Sequence, residues 1–116
     1  MAAYPGGSQD IASSRDRVAG FTADLQKLDV EIVDSVEALL PKVDAVLLES
    51  VDGRKHLEQV LPVFKSGKPV FIDKPLAGEL SDALAIDLLA KNTRVGSVVR
   101  RSASVPRFTV IAMIPR

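Results

Sequence analysis

The sequence places a lysine where chemistry could occur, directly after a short apolar run. The run Pro69–Ile72 is followed by Asp73, Lys74 and Pro75. Open α/β sheets bind ligands beyond the carboxyl ends of their strands, and a lysine there can hydrogen-bond a substrate oxygen and stabilise its developing charge. Because Pro75 disfavours a helical conformation for Lys74, the lysine should extend out of the strand end. The alternative is that Asp73 and Lys74 form only a solvated strand terminus.

A second polar group follows the apolar run Asp44–Leu48. Ser50, Val51 and Asp52 come soon after it, and His56 is the only histidine of the chain. A histidine can accept or release a proton near neutral pH, which suits acid–base chemistry. A lone histidine in a first helical turn is more often an exposed or capping residue than a base, so the pattern alone leaves both interpretations open.

Strands and helices alternate in an order that should bring these two groups to one edge of a sheet. Short apolar runs predict strands, and amphipathic stretches predict helices. The predicted strands are about 1–4, 30–33, 44–48, 69–72 and 95–99, and the predicted helices are about 14–28, 35–40, 53–66 and 81–92. This order indicates an α/β fold, with a parallel sheet, right-handed crossovers and helices on both faces. The run Phe108–Ile114 is also β-prone, but the pattern does not indicate where it lies in the fold.

The helices carry specific expectations about caps and buried faces. Ser13 or Ser14 should cap the first helix, with Asp16 in its first turn. Pro62 should kink the helix at 53–66, and Gly67 should end it. Apolar residues at helical spacing should face inward, namely Val18, Phe21, Leu25 and Leu28 in the first helix and Leu84, Leu88 and Leu89 in the last.

Composition limits the classes of protein to consider. The 116 residues fit one domain, 47% of them are hydrophobic, and Trp and Cys are absent. An aliphatic α/β core is therefore expected, and disulfides and thiolate metal sites are excluded. We predict no metal site. The sequence shows no apolar run near the ~20 residues that span a bilayer and no signal-peptide pattern, so a cytoplasmic protein is the default and membrane binding is not expected.

The C-terminal part of the chain is basic, although the net formal charge is +0. Residues 91–116 contain no acid, and their basic residues are Lys91, Arg94, Arg100, Arg101, Arg107 and Arg116. Such a segment can hold phosphates or nucleic acid. Because Phe108 is the only aromatic residue among the arginines, we interpret this segment as a solvated end of the chain. Nucleic-acid binding is the weakest of the functional hypotheses that we consider.

The two polar groups, at their observed separation, resemble the glucose–fructose oxidoreductase / inositol dehydrogenase / MocA (Gfo/Idh/MocA) family. Members of that family have a strand of the Asp-Ala-Val type, a loop, a His, a helix, Ala-Gly-Lys, another strand and Glu-Lys-Pro-(Leu/Met)-Ala. Here Asp44–Leu48, His56, Ser66–Lys68 and Asp73–Ala77 occupy those places at matching distances. The likeness covers about residues 30–95, and its spacing is more specific than any single piece.

The resemblance implies that residues 1–99 form a partial dinucleotide-binding, Rossmann-like domain. Residues 100–116 would be a basic and apolar segment that begins a further domain. The implied activity is that of an oxidoreductase that uses NAD or NADP on sugar-like or polyol substrates.

The resemblance also assigns roles to individual residues. In the family the motif lysine lies between nicotinamide and substrate, so Lys74 would be catalytic, with Asp73 and Pro75 beside it. The loop formed by Ser50, Val51 and Asp52 would border the nicotinamide ribose, and His56 would support that loop. Ser8, after the first strand, would lie where the adenosine ribose is recognised.

The sequence departs from the family pattern at several points. Asp73 replaces the family's Glu, and Val51-Asp52 replaces a Thr-Pro pair. The stretch Pro5–Ser8 stands where an acid usually binds the ribose hydroxyls, which leaves the choice between NAD and NADP open. No Gly-x-Gly-x-x-Gly occurs and no strand–helix pair precedes Tyr4, so the turn that binds the pyrophosphate is not encoded.

We therefore expect a truncated NAD(P)-dependent oxidoreductase domain that is inactive alone. A sheet without its central strand would expose edges, so self-association or a partly molten state is expected unless the run Phe108–Ile114 fills the gap. The alternative to a dehydrogenase fragment is a non-enzymatic α/β binding or partner module.

Overall fold

Strands and helices alternate along the chain as predicted. The computed structural model describes residues 1–93, together with the backbone of residues 97–100 and 111–112. The elements are β1 (Ala2–Ala3), α1 (Ala12–Lys27), β2 (Glu31–Ile32), α2 (Val36–Leu39), β3 (Val46–Leu48), α3 (His56–Ser66), β4 (Val70–Asp73), α4 (Leu80–Thr93), β5 (Ser97–Arg100) and β6 (Ile111–Ala112). Short 3-10 turns at Leu40–Lys42 and Gly53–Lys55 follow α2 and precede α3.

The larger sheet is built around β4, which pairs in parallel with β3 on one side and with β5 on the other. The register places Val46 opposite Val70 and Leu48 opposite Ile72, and these four side chains are buried. The predicted strands at 44–48 and 69–72 are confirmed, and they end at the same level of the sheet. Their following loops therefore share one edge, as parallel neighbours require.

The run Phe108–Ile114 contributes a strand at the opposite side of β3. Its residues Ile111–Ala112 form β6, which pairs antiparallel with β3 through Leu48↔Ile111 and Leu47↔Ala112. β6 also contacts β1, so it lies between the two sheets. The expectation that this run can act as a substitute strand is confirmed for these two residues, and the rest of the run lies outside the described residues.

A second, two-stranded sheet pairs the beginning of the chain with β2. The pairing is parallel, with Ala2 opposite Glu31 and Ala3 opposite Ile32. The predicted strands at 1–4 and 30–33 are thereby confirmed, although each is only two residues long. Their carboxyl ends lead into the loop before α1 and into the Ser35 cap of α2, whose hydroxyl accepts a hydrogen bond from the Ala38 N–H.

α3 is the helix that crosses from β3 to β4, and it is packed into the main core. Val60, Val63 and Phe64 are buried along it, and Pro62 lies inside it. Gly67 ends the helix with a left-handed φ of 72°, a conformation that glycine adopts without steric penalty. The predicted helix at 53–66 and its end at Gly67 are confirmed.

The start of α1 differs from the prediction. The helix begins at Ala12, Ile11 is its N-cap without a side-chain hydrogen bond, and no acid lies in its first turn. Ser14 is instead a buried residue inside the helix, where its hydroxyl accepts a hydrogen bond from the Ser8 N–H. The expected cap at Ser13 or Ser14 was wrong. A hydroxyl near a helix start can bond either to the helix or to a neighbouring loop, and here the Ser14 hydroxyl bonds to the loop.

The predicted inward faces of α1 and α4 are only partly correct. Leu28, beyond the end of α1, is 73% exposed, and in α4 Leu84 and Leu88 are 55% and 59% exposed. The buried residues of α4 are Ile86 and Ala90. Because α4 carries apolar residues around most of its circumference, its pattern did not identify the face that packs against α3.

The main core lies between the larger sheet and the helices α2, α3 and α4. Its most buried members are Leu39, Leu48, Val60, Ile72 and Ile86. They are aliphatic, as the composition predicted. In the part of the chain that is described, no helix is long and apolar enough to cross a membrane.

Candidate functional site

Three loops come together at the carboxyl edge of the strands. The first is residues 6–10 after β1, the second is residues 49–53 after β3, and the third is the turn at residues 73–78 after β4. The last two are brought together by the parallel register that sets Leu48 beside Ile72. Because ligands of parallel α/β sheets bind at this edge, the loops form the candidate site.

His56 connects the second and third loops. Its imidazole is fully buried, with Nε2 2.7 Å from the carbonyl oxygen of Ser50 and Nδ1 3.2 Å from the carbonyl oxygen of Leu76. Only one nitrogen of a neutral imidazole carries a proton, so the tautomer decides which carbonyl receives the hydrogen bond. The structure places His56 in the core as a support, and the alternative of an exposed or capping histidine is wrong.

Glycines allow the same two loops to touch through their backbones. A Cβ on Gly53 would lie 2.7 Å from the carbonyl carbon of Ala77 and 2.8 Å from the Cγ of Pro75. A Cβ on Gly78 would lie 2.6 Å from the Cγ of Arg54. Both positions are closer than side-chain atoms tolerate, so this contact requires glycine on both sides.

Lys74 lies in this contact region, directly after β4. It is exposed, and the peptide bond that joins it to Pro75 is cis. Since Pro75 packs at Gly53, the predicted position of Lys74 at the carboxyl edge, next to the loop from Ser50 to Gly53, is confirmed. Its catalytic role remains a prediction.

Asp52 joins the second loop to the first. Its buried carboxylate accepts a hydrogen bond of 2.6 Å from the Ser8 hydroxyl. It also accepts bonds of 2.8 Å from Nε and Nη2 of Arg54 and one of 3.0 Å from the Arg54 backbone N–H. The bonds from Arg54, assisted by that from Ser8, hold the pKa of Asp52 well below its ordinary value, so the carboxylate is charged.

Arg54 extends this network to a second acid. Its Nη2 donates to Asp10 at 2.8 Å as well as to Asp52, and these bonds raise the pKa of Arg54 above its ordinary value. The sequence pattern singled out Ser8 and Asp52, but missed Arg54 and Asp10. No local signal could have found them, because Asp10 and Arg54 are 44 positions apart along the chain.

A third acid, Glu49, lies at the end of β3 next to Asp73. Burial and the negative charge of Asp73 raise the pKa of Glu49. Glu49 follows Leu48, and Asp73 follows Ile72, so the parallel register sets the two carboxylates side by side. This pair was not predicted as part of the site, although Asp73 was assigned to it.

The remaining predicted residues support the second loop. The Ser50 hydroxyl donates a 2.6 Å hydrogen bond to Oε1 of Gln59 on α3, which fixes the loop to the helix. Val51 is partly buried at the tip of the loop. The structure therefore brings Ser8, the loop from Ser50 to Asp52, His56 and Lys74 to one edge.

Two cavities lie beside these loops. One, of about 480 Å³, is lined by residues 7–10 with Asp52, Arg54 and Lys55. The other, of about 230 Å³, is lined by Tyr4, Gly6, Ser35 and residues of α3 that include Gln59. Among the described residues, no group of three or more histidine or acidic side chains could hold a metal ion.

A parallel α/β sheet with loops converging at its carboxyl edge is the architecture of a Rossmann-type domain. Residues 9–100 match the sequence model of the Gfo/Idh/MocA oxidoreductase family, NAD-binding Rossmann fold. The chain belongs to that family, as its motifs indicated.

Inositol 2-dehydrogenases are among the proteins to which this chain is similar in sequence. The enzyme of Pseudomonas fluorescens is 47% identical over 64 residues, which are 53% of this chain and 18% of the relative. The enzyme of Serratia proteamaculans is 44% identical over 66 residues, 55% of this chain and 19% of the relative. The chain thus spans about a fifth of the length of these enzymes.

Solved structures agree with this assignment. A protein of Desulfitobacterium hafniense described as a candidate NADPH-dependent oxidoreductase superimposes with a TM-score of 0.61 and 26% identity, over 80% of this chain and 26% of that one. An NAD-binding protein of Listeria innocua gives a TM-score of 0.56 and 30% identity, over 78% of this chain and 24% of that one.

Proposed function

We propose that this chain supplies the nicotinamide-side and ribose-side loops of an NAD(P)-dependent dehydrogenase that acts on polyols or sugars. The observation that carries the proposal is the contact between the loop at Gly53 and the turn at Pro75–Ala77, clamped by His56. It holds Lys74 beside the loop that borders the nicotinamide ribose in this family. The similarity to inositol 2-dehydrogenases supports a polyol as the substrate class.

In this proposal Lys74 acts on the substrate oxygen. The nicotinamide, when bound, accepts or gives the hydride. The Lys74 ammonium donates a hydrogen bond to the hydroxyl or carbonyl oxygen of the substrate and stabilises the charge that develops there. His56 and Gly53 fix the turn that carries Lys74, which follows Asp73 at the end of β4.

A chimaera tests the role of Lys74. Residues 30–95 would replace the matching part of the Pseudomonas fluorescens relative, and Lys74→Ala would be compared with Lys65→Ala, which removes an exposed lysine of α3. We expect Lys74→Ala to lower kcat by about 10²–10⁴-fold with a small change in the KM for NAD. Equal losses in kcat and in cofactor affinity would show that Lys74 is structural.

The 116-residue chain by itself should bind NAD(H) or NADP(H) weakly and show no turnover. The pyrophosphate of a dinucleotide normally binds to backbone N–H groups of a glycine-rich turn, and the loops described above offer the ribose-side contacts alone. Calorimetric titration of the purified chain is the measurement. Micromolar affinity would contradict this expectation.

A partner-binding module is the second candidate, and the leucines of α4 favour it. Leu80, Leu84 and Leu88 recur every fourth residue and are 76%, 55% and 59% exposed. Such a stripe on one side of a helix is suited to a protein contact, including self-association. Replacing Leu84 and Leu88 by Ser should abolish any association seen by light scattering, and an unchanged particle size would remove support for this candidate.

A further inference from the structure

Helix α4 carries apolar side chains on two opposite sides. It packs against α3 and buries Ile86 and Ala90. Leu80, Leu84 and Leu88 recur every fourth residue and therefore share the outer side of the helix, where they are more than half exposed. These leucines form the leucine face. A surface helix is usually polar on the side away from the core, so a helix that is apolar on both sides is suited to be covered on both.

Opposite charges lie at the two ends of the leucine face. Glu79 is exposed at the start of α4, where its carbonyl oxygen accepts a hydrogen bond from the Ala83 N–H, and Lys91 is exposed near the end. Lys91 already pairs with Asp87 of its own helix, but an ammonium has further N–H donors for a second acid. Glu79 and Lys91 are about 18 Å apart along the helix axis, at about 1.5 Å per residue.

This charge pattern favours a second copy of the same helix that runs in the opposite direction. Antiparallel copies place Glu79 of each copy at the level of Lys91 of the other, whereas parallel copies would place like charges together. The two-fold axis of such a pair passes near Leu84, so Leu80 of each copy lies at the level of Leu88 of the other. The net formal charge of the chain is +0, so no long-range repulsion keeps two copies apart.

We infer that the leucine face of α4 is a self-association surface, on which two copies of this chain pair with their α4 helices antiparallel. Since each copy contributes one helix, the contact buries less than the roughly 1,200 Å² of a stable interface, and the dimer is weak, with a Kd on the order of 0.1 mM. The inference rests on the partner-binding candidate, for which it names the partner. It does not depend on the dehydrogenase proposal, because the leucine face lies outside the loops of the candidate site.

Sedimentation equilibrium of the 116-residue chain, from about 10 μM to about 1 mM, tests the surface. We expect a monomer–dimer equilibrium that Leu84→Ser weakens at least roughly tenfold, because the dimer loses the apolar contact of both copies. Leu28→Ser is the matched control, since it removes an equally exposed kind of leucine beyond the end of α1 and should leave the equilibrium unchanged. A chain that stays monomeric, or a dimer that Leu84→Ser leaves intact, overturns the inference.

Cysteine substitutions test the direction of the two helices, because the chain has no cysteine of its own. With oxidised glutathione as the oxidant, Leu84→Cys should form a disulfide-linked dimer. Leu80→Cys should not, since its two copies would be about 12 Å apart along the axis, beyond the reach of a disulfide. A mixture of Leu80→Cys with an isotope-labelled Leu88→Cys chain should form the mixed dimer. Because all three leucines are exposed, thermal melts that match the unaltered chain show that the fold is retained.

The outcomes separate this inference from the functions proposed above. Linked dimers of Leu80→Cys, or no mixed dimer with Leu88→Cys, would overturn the antiparallel pair while the partner-binding candidate stands. A monomeric chain overturns the inference and leaves the dehydrogenase proposal in place, because that proposal is decided by Lys74→Ala in the chimaera.

Discussion

The helices α1 and α3 hold the loops of the candidate site in different ways. α3 buries His56, Val60, Val63 and Phe64, so the loop before it is fixed by core packing. α1 has 16 residues, but Ser14 is the only buried one among them. The loop before α1 is fixed instead by polar bonds, from Ser8 to Asp52 and from Arg54 to Asp10.

This difference implies that the two sides of the site respond differently to mutation and to solvent. Contacts by packing are lost through cavities or clashes, and their loss destabilises the whole core. Polar bonds to carboxylates are weakened by protonation, and the exposed pair of Arg54 and Asp10 is weakened by salt as well. Their loss affects one loop. The predictions below test this contrast between the packed side of the site, at His56 and Gly53, and the polar side, at Asp10 and Asp52.

His56→Ala should have the largest effect. It opens a cavity in the core and removes the imidazole N–H from the carbonyl oxygen that accepts it, that of Ser50 or of Leu76, at a cost of about 2–5 kcal/mol. For a small domain this is a large part of the total stability, so the cooperative thermal transition should be lost or strongly lowered. Lys55→Ala, one residue earlier and exposed, is the control, and equal melts for the two variants would contradict the packed role of His56.

Ala112→Pro should separate the two sheets. Proline removes a backbone N–H from β6, which pairs with β3 and lies against β1. The uncovered edge of β3 is then available to another chain, so light scattering should show larger particles than for Ala112→Ser, which retains the N–H. A monomeric Ala112→Pro variant with an unchanged melt would show that β6 is not needed to cover this edge.

Gly53→Ala should destabilise the packed side by about 1–3 kcal/mol. The new methyl group would overlap the backbone of Ala77, and the loop and the turn would have to move apart. Gly20→Ala in α1 is the matched control, because no atom lies within 4 Å of its Cβ position, and it should raise stability by about 0.5–1 kcal/mol. Chemical denaturation measures both, and effects of the same sign would refute the contrast.

Asp52→Asn should have the smallest effect on the melt, and a distinct dependence on pH. Since the folded state lowers the pKa of Asp52, its contribution to stability is complete above the ordinary carboxyl pKa of about 4 and is lost as the pH falls through the lowered value. The unaltered chain should therefore lose this contribution progressively as the pH falls below about 4, and the Asn variant should lack that part of the acid dependence. Melts between neutral and acidic pH that run parallel for both chains would argue against a charged Asp52 network.

Local pattern predicted most of the fold. The apolar runs at 44–48 and 69–72 predicted β3 and β4, and Gly67 predicted the end of α3. The spacing of the motifs indicated the family. These features could be read because strand and helix periodicity, turn residues and motif distances are properties of neighbouring residues. The same reasoning predicted that Lys74 and the loop from Ser50 would share an edge.

The tertiary structure decided which polar group finds which partner. Ser14 bonds to a loop instead of capping α1, α4 turns Ile86 rather than Leu84 inward, and His56 is buried between two carbonyl oxygens. Arg54 reaches Asp10 across 44 positions of the chain, which no local pattern encodes. The physical reason is that a side chain's own type sets which bonds it can make, while only the approach of distant segments sets which of those bonds form.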